Sequence, residues 1–417
     1  MGNFDMLPGE IVFNILTRLP AELVLECKLV SKSWNKVVSY PSFSQTHLDR
    51  CLEDLDSGGK STFLLVNDDF VYSSFSYRKF HYLEYHDDSS SENPPFYRVK
   101  RMKINPAPYM YYYLAGACNG LICLNGCPDN DWVNYEPVYI CNPITRECVY
   151  LPVFERTPGL LAHSHGDRLL SGFGSTNEYK VVRMFNLLGE PNFLQVEVYT
   201  LGSGKGWRNL QKKFNKKLDS FKCVRGVFVN ESLYWNLKTG KCNVVAFDLA
   251  NEIFVEIPEA FPTSSDYIFG PLGGSDYILR VLGGYLSAVR YDNYWKTSEL
   301  LLLKKKEEDG SLSWIKEFAL SNTDTHQSLA LSCRGTVLCH SGTKVQIHDL
   351  NSLSSKLLVD FGKERYIYET IPHMNTLVSL KALGEETTKT METVDVPRDV
   401  DEVYKELPRN ASAGTYI

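Results

Sequence analysis

The chain has 417 residues and a mass of 47.5 kDa; 43% are hydrophobic and 23% charged, which is enough apolar material for cores in two or three domains. Lys and Arg total 44 against 50 Asp and Glu, a net charge of -6 that argues against a protein built to wrap nucleic acid in a cationic surface. No apolar run approaches the roughly 18 residues of a membrane-spanning helix. The opening Met1-Gly2-Asn3-Phe4-Asp5-Met6 lacks a signal-peptide pattern, and Met6 stands where myristoylation of Gly2 needs Ser or Thr. These features predict a soluble intracellular protein, cytoplasmic, nuclear or both. The 11 cysteines, an odd number in so large a chain, read as small apolar residues on strands rather than a disulfide framework.

Residues 1–50 read as helical. Leu7, Ile11, Ile15 and Leu19 recur every four residues, the spacing of one helix face. Pro8 suits a first helical turn, and Leu19-Pro20 stops the helix because the residue before proline is driven out of the α region. A second amphipathic stretch covers Ala21 to Leu29. A third follows Ser31, whose hydroxyl can cap the Lys32–Val38 turn carrying Trp34, Val37 and Val38. Three short helices enclose little core by themselves, so part of this apolar surface is expected to need a partner.

From Ser61 onward the pattern alternates with period two and is cut by Gly, Asn, Asp and Pro. A strand–turn–strand unit recurs as 138–143 with 149–152, 196–199 with 207–210, 244–249 with 253–258, 299–303 with 314–318, and 345–350 with 356–359. The starts lie 58, 48, 55 and 46 residues apart, and most copies follow another strand such as Gly120–Leu124 or Tyr285–Val289. About four strands per 40–50 residues is the period of a propeller blade. With Phe63–Tyr77 as one further unit, the expectation is an all-β propeller-like domain over 51–383 with six degenerate blades, its ring closed by a late strand at Thr376–Leu380. Residues 87–95 read as a polar loop. The segment 384–417, with eight acids against four bases, reads as a disordered acidic tail.

Candidate chemistry is sparse. Cys118, Cys123 and Cys127 are close in sequence but lack a CxxC pair or a matched second half, so structural thiols are favoured over a metal site. His163 and His165 follow a turn, and His81 and His86 show no helical period. Gly172-Phe173-Gly174 lacks the Lys of a phosphate loop, and Asp68-Asp69 sits where turns favour Asp. No catalytic residue, metal or cofactor is predicted. One charge cluster stands out: 205–225 holds eight Lys and Arg against Asp219 alone. It reads as a solvated loop, or as a basic lip in which Lys212, Lys213, Lys216 and Lys217 face an acidic partner.

Several motifs in order carry a resemblance. Leu7-Pro8-x-Glu10-Ile11, Ile15-Leu16-x-x-Leu19-Pro20, Cys27-x-x-Val30-Ser31-Lys32-Ser33-Trp34, Pro41-Ser42-Phe43 and His47-Leu48 resemble an F-box over 1–50. The segment Cys118–Leu124, Cys141–Arg146, Gly172–Gly174 through Tyr179–Val182, Gly226–Asn230 through Trp235, and Leu282–Leu286 is similar to the F-box-associated domain of plant F-box proteins. The resemblance implies a non-catalytic substrate receptor of an SCF-type cullin–RING ubiquitin ligase. Its F-box would dock on a Skp-family adaptor, linking it to cullin and RING subunits, and its second domain would hold a protein substrate. It assigns adaptor contacts to Leu7, Pro8, Ile11, Leu16, Leu19, Pro20, Val30, Ser31, Lys32 and Trp34; on the residues alone, Ile15, Leu25, Val37 and Val38 read as side chains that hold the three helices together, and Trp34 reads equally as core or as interface anchor. The alternatives are an F-box protein that regulates a partner without degrading it, or a propeller enzyme such as a glycosidase.

Overall fold

The computed structural model describes residues 7–391 apart from 57–59, 70–77, 87–95, 105–110, 128–137, 153–169, 188–189, 211–224, 237–243, 259, 261–276, 293–296, 307–309, 321–326, 332–335, 351, 353 and 363–364. Four helices come first, α1 (Gly9–Leu16), α2 (Ala21–Cys27), α3 (Lys32–Val38) and α4 (Pro41–Asp56). Three helices ending near residue 50 were expected; the fourth is the longest and runs to Asp56. Its apolar signal is diluted because one inward position is a histidine, His47, which is fully buried with Phe43 and Leu48.

The helix starts follow local chemistry. Pro8 and Pro20 hold extended backbone immediately before α1 and α2, and neither helix loses a hydrogen bond to the missing N–H. Ser31 caps α3, its Oγ accepting from the Trp34 N–H at 3.2 Å. Val12, Leu16, Ala21, Val24, Val37, Val38 and Phe43 form the helical core. His47 Nε2 lies 2.9 Å from the Leu19 carbonyl oxygen, and Arg50 donates to the Asn14 carbonyl at 2.9 Å and to Thr17 Oγ1, so α4 satisfies the open end of α1.

Six antiparallel sheets follow. Blade one takes Arg365–Pro372 as its inner strand, then Lys60–Asp69, Arg78–His86 and Phe96–Met102. Blade two runs Tyr111–Cys118, Leu121–Cys127, Val138–Asn142 and Glu147–Tyr150, with Lys389–Thr390 added at its outer edge. Blade three is Leu170–Ser175, Tyr179–Leu187, Glu190–Thr200 and Trp207–Asn209, and blade four is Val227–Val229, Ser232–Asn236, Val244–Asp248 and Ile253–Ile257. Blade five comprises Tyr277–Leu282, Tyr285–Asp292, Thr297–Lys305 and Leu312–Leu320; blade six, Gln327–Leu331, Thr336–Ser341, Lys344–Asp349 and Ser355–Asp360. The five predicted strand pairs are the outer hairpins of blades two to six. Apolar side chains on adjoining blades form shared cores, as where Met184 and Val196 of blade three meet Trp235 and Phe247 of blade four.

The ring closes differently from the expectation. Arg365–Pro372 pairs with Lys60–Asp69, so a strand that follows blade six becomes the innermost strand of blade one and ties the two ends of the ring together by backbone hydrogen bonds. Thr376–Leu380 is not a strand. It belongs to a strap, residues 373–391, that leaves blade one and crosses blades two and three beneath the helices. Leu377 enters the helical core, while Val378 and Leu380 enter the core shared by blades two and three. The start of the segment expected to be a disordered tail is therefore packed. Glu385 is buried and accepts from the Gly202 N–H at 2.7 Å, and Met391 exchanges hydrogen bonds with Arg146. Residues 392–417 lie outside the described residues.

Candidate functional site

A four-helix unit of this size buries only part of its apolar surface. Along α1, Val12 and Leu16 point inward at 5% and 0% exposure, whereas Ile11 and Ile15, one turn apart on the opposite stripe, are 47% and 46% exposed. The turn between α2 and α3 carries Leu29 and Val30 at 88% and 66% exposure. These are large aliphatic side chains held outward on rigid elements, and no described part of the chain covers them. Isolated exposed apolar residues need no explanation; here four aliphatic side chains stand outward on one small helical unit.

The residues assigned by sequence divide on this geometry. Pro8, Ile11, Pro20, Val30 and Lys32 are exposed; Leu7, Leu19, Ser31 and Trp34 are half-buried, with Leu7, Leu19 and Trp34 also packing on the helical core. Leu16 is not available to a partner, because the 100° step between successive helical residues turns it into the core. Ile15, expected inside, occupies the outward position instead. Leu29 was missed; its only signal is an apolar residue beside Val30 in a turn too short to bury both. Val37 and Val38 are buried as expected, and Leu25 is half-buried against the same core.

The helical unit is held firmly on the propeller. Asn375 donates to Glu22 Oε1 at 2.6 Å, and Ser44 Oγ donates to the Leu377 carbonyl at 2.9 Å. Thr376 Oγ1 donates to the Asn119 carbonyl at 2.7 Å, across the turn where Gly120 has φ +84°. A Cβ on Gly120 would sit 2.0 Å from Thr376 Oγ1, so the turn and the strap require glycine there. Helices and strap thus occupy the face bearing the turns at 119–120, 143–146 and 201–203. The opposite ends of the same strands form the far face of the ring.

Other candidates resolve as structural. Cys118 and Cys123 are fully buried; burial pushes the Cys118 thiol up to about 12 and raises Cys123 as well, leaving both as neutral apolar side chains. No group of three potential metal ligands occurs among the described residues. Gly174 lies against blade four, where a Cβ would meet the Phe228 ring at 2.3 Å; it is a packing glycine, not a phosphate cradle. His81 is buried and within 2.9 Å of Asn67 Oδ1. Of the basic run, Arg208 pairs with Glu252 at 2.6 Å and Arg225 with Glu369 at 2.9 Å, while Lys212, Lys213, Lys216 and Lys217 lie outside the described residues, as do His163 and His165. Burial alone would raise the Glu252 pKa, but hydrogen bonds from Arg208 and Lys180 hold it below the usual carboxylate value.

Comparison with known proteins bears on both parts. Residues 4–48 match the F-box-like family and residues 67–345 match the F-box associated beta propeller domain. An F-box protein of Arabidopsis thaliana is 27% identical over 350 residues, covering 76% of this chain and 73% of the relative. A second is 26% identical over 309 residues, covering 70% and 73%. A third is 27% identical over 263 residues, covering 60% of this chain and 52% of the relative, so there the chain spans about half of the protein it matches. Among solved structures, the SapL1 lectin in complex with alpha methyl fucoside aligns at 10% identity and a TM-score of 0.35, covering 71% of this chain and 95% of the lectin. A DUF4784 family protein from Bacteroides caccae aligns at 10% identity and a TM-score of 0.34, covering 76% and 92%. With an F-box-like match on the helices and the associated-domain match spanning more than half the chain, this protein belongs to the F-box proteins that carry an F-box associated beta propeller domain.

Proposed function

We propose that this protein is the substrate-recognition subunit of an SCF-type cullin–RING ubiquitin ligase. The observation that carries the proposal is the outward aliphatic set of Ile11, Ile15, Leu29 and Val30 on an F-box locked to a propeller. Each such side chain contributes roughly 1.5–3 kcal/mol when fully buried, so four are enough for a firm contact with a Skp-family adaptor. Cullin and RING subunits would join through that adaptor, in the cytoplasm or nucleus.

The mechanism is proximity, not chemistry on this chain. A target held on the propeller has its lysines at raised local concentration beside the ubiquitin-conjugating enzyme that the RING subunit recruits. A rigid connection matters for this, and the strap supplies it. The far face of the ring is the natural side for the target because the helices and strap occupy the near face. The deciding experiment is co-purification with the adaptor. Leu29→Asp with Val30→Asp should abolish capture while leaving the thermal transition of the protein in place; retained capture would overturn the docking assignment.

A further inference from the structure

The outer strand of blade one, Phe96–Met102, is the edge of its sheet: it pairs with Arg78–His86 on one side, and no described strand pairs with the other. The outward N–H and C=O groups of such a strand are a template for a further strand. Phe96 and Tyr97 are 57% and 41% exposed; Arg98, Lys100 and Arg101 are exposed, as is Lys103 just beyond the strand. Val99 and Met102 pack inward, onto the cores shared with blades six and two.

None of these four cations forms an ion pair or a side-chain hydrogen bond among the described residues. The other outer strands differ. Arg208 of blade three pairs with Glu252 at 2.6 Å, and Lys316 of blade five with Glu299 at 2.8 Å. Ile253–Ile257 of blade four carries no cation, Ser355–Asp360 of blade six has Lys356 alone, and the edge of blade two is covered by Lys389–Thr390. The hairpin before Phe96 holds Asp87, Asp88 and Glu92 in the sequence. Lys100 lies about 13 Å along the strand from Phe96, and Arg101 and Lys103 further still.

Strand alternation sorts the cations. Arg98 and Lys100 stand on the face toward blade two with Met102, and Arg101 and Lys103 on the face toward blade six with Val99. A segment lying alongside meets, from Arg98 to Lys103, cation, apolar, cation, cation, apolar, cation. The complementary order, acid–apolar–acid–acid–apolar–acid, reads the same in both directions and so fits a parallel or an antiparallel neighbour. Opposite charges across a strand pair stabilise it and like charges oppose it, which disfavours the same edge of a second copy.

We propose that Phe96–Met102 is a docking edge for an acidic segment of a partner protein, which adds to blade one as a further, extended strand. Main-chain hydrogen bonds supply the adhesion, and carboxylates facing Arg98, Lys100, Arg101 and Lys103 select the sequence. Docking here is independent of the adaptor contact at the helices and is read on this protein alone.

The test is fluorescence anisotropy of a labelled, blocked peptide, Glu-Val-Glu-Glu-Val-Glu flanked by glycines, titrated with the full chain at low ionic strength. It should bind with a Kd below about 0.1 mM, and the same peptide with Lys for every Glu should not bind. Lys100→Glu with Arg101→Glu, both at exposed positions, should weaken binding at least about tenfold with the thermal transition retained. Methylating the peptide's backbone nitrogens should abolish binding, which separates strand addition from attraction to a charged patch. No saturable change with the chain at about 0.5 mM, undiminished binding by the folded double variant, or equal binding of the methylated or the Lys peptide would overturn the proposal. Two other occupants would overturn it as well. Peptide binding that appears only after Asp399→Asn, Asp401→Asn and Glu402→Gln would put the chain's own acidic residues on the edge. A dimer in sedimentation that Lys100→Glu with Arg101→Glu dissolves would put a second copy there.

Discussion

The side-chain amide of Asn142 donates to the Val378 carbonyl at 2.7 Å, joining residues 236 positions apart. The same nitrogen donates to the Thr376 carbonyl at 3.1 Å, and Asn142 Oδ1 accepts from the Ile144 N–H at 2.9 Å. Asn142 is wholly buried, so one side chain turns the corner after the third strand of blade two and also anchors the strap. Asn142→Ala would leave two strap carbonyls and a turn N–H without that partner. Each unsatisfied buried group costs about 1–3 kcal/mol, so the midpoint of urea unfolding should fall markedly.

Opposite faces of α1 should respond differently to truncation. Ile11→Ala with Ile15→Ala removes outward side chains and is expected to weaken adaptor affinity about 10–100-fold with little change in stability. Leu16→Ala instead opens a cavity in the helical core, at a cost of about 2–5 kcal/mol. Calorimetric titration with the adaptor and urea unfolding of the same variants separate the two effects.

Blade three contains a buried ion pair, Arg183 Nε to Glu197 Oε2 at 2.6 Å, with both side chains 6% exposed. Arg183 also lies 4.0 Å from the centre of the Trp207 ring. Glu197→Leu removes the carboxylate that faces the buried Arg183 guanidinium and should cost about 3–5 kcal/mol. Adding Arg183→Met should recover a substantial part of that loss, since two apolar side chains of similar volume need no desolvated charge. A double-mutant cycle measured by chemical unfolding gives the coupling.

Mild acid should destabilise the folded protein. Burial lowers the His47 pKa below its ordinary 6.5, outweighing the Leu19 carbonyl that favours the charged ring, and burial drives His373 down to about 4. In the unfolded chain both titrate near 6.5. Below that pH the unfolded state binds more protons than the folded state, so stability is full above about pH 6.5 and declines as pH falls toward 4. The melting temperature should drop between pH 7 and 5, and His373→Leu should flatten that dependence. An unchanged slope in the variant would remove His373 from the account.

Much of the architecture could be read locally. The outer hairpins of blades two to six follow from period-two alternation, and Ser31 capping α3 follows from a hydroxyl placed three residues before the Trp34 N–H it accepts from. Asn142 stood out within the motif Cys141–Arg146, but its role did not, because the partner carbonyls lie far along the chain. Thr376–Leu380 reads as a strand for a physical reason. Leu377 turns into the helical core while Val378 and Leu380 turn into the blade core, so three apolar side chains are buried on two sides without a strand partner. The meeting of Arg225, Arg280 and Glu369 was not legible: Arg225 stood out only as the end of a basic run, and its partners lie far along the chain, in blades five and one.

By itself, the sequence determined the division into a short helical unit and a long array of four-stranded repeats, because side-chain periodicity of 3.6 or 2 is set by neighbours along the chain. Only the tertiary structure decided that Arg365–Pro372 closes the ring, that Ile15 rather than Leu16 faces outward, and that two arginines meet over one carboxylate. Those outcomes depend on which distant surfaces exclude water together. That competition is settled when the ring closes and the strap is laid across it, not by any window of residues.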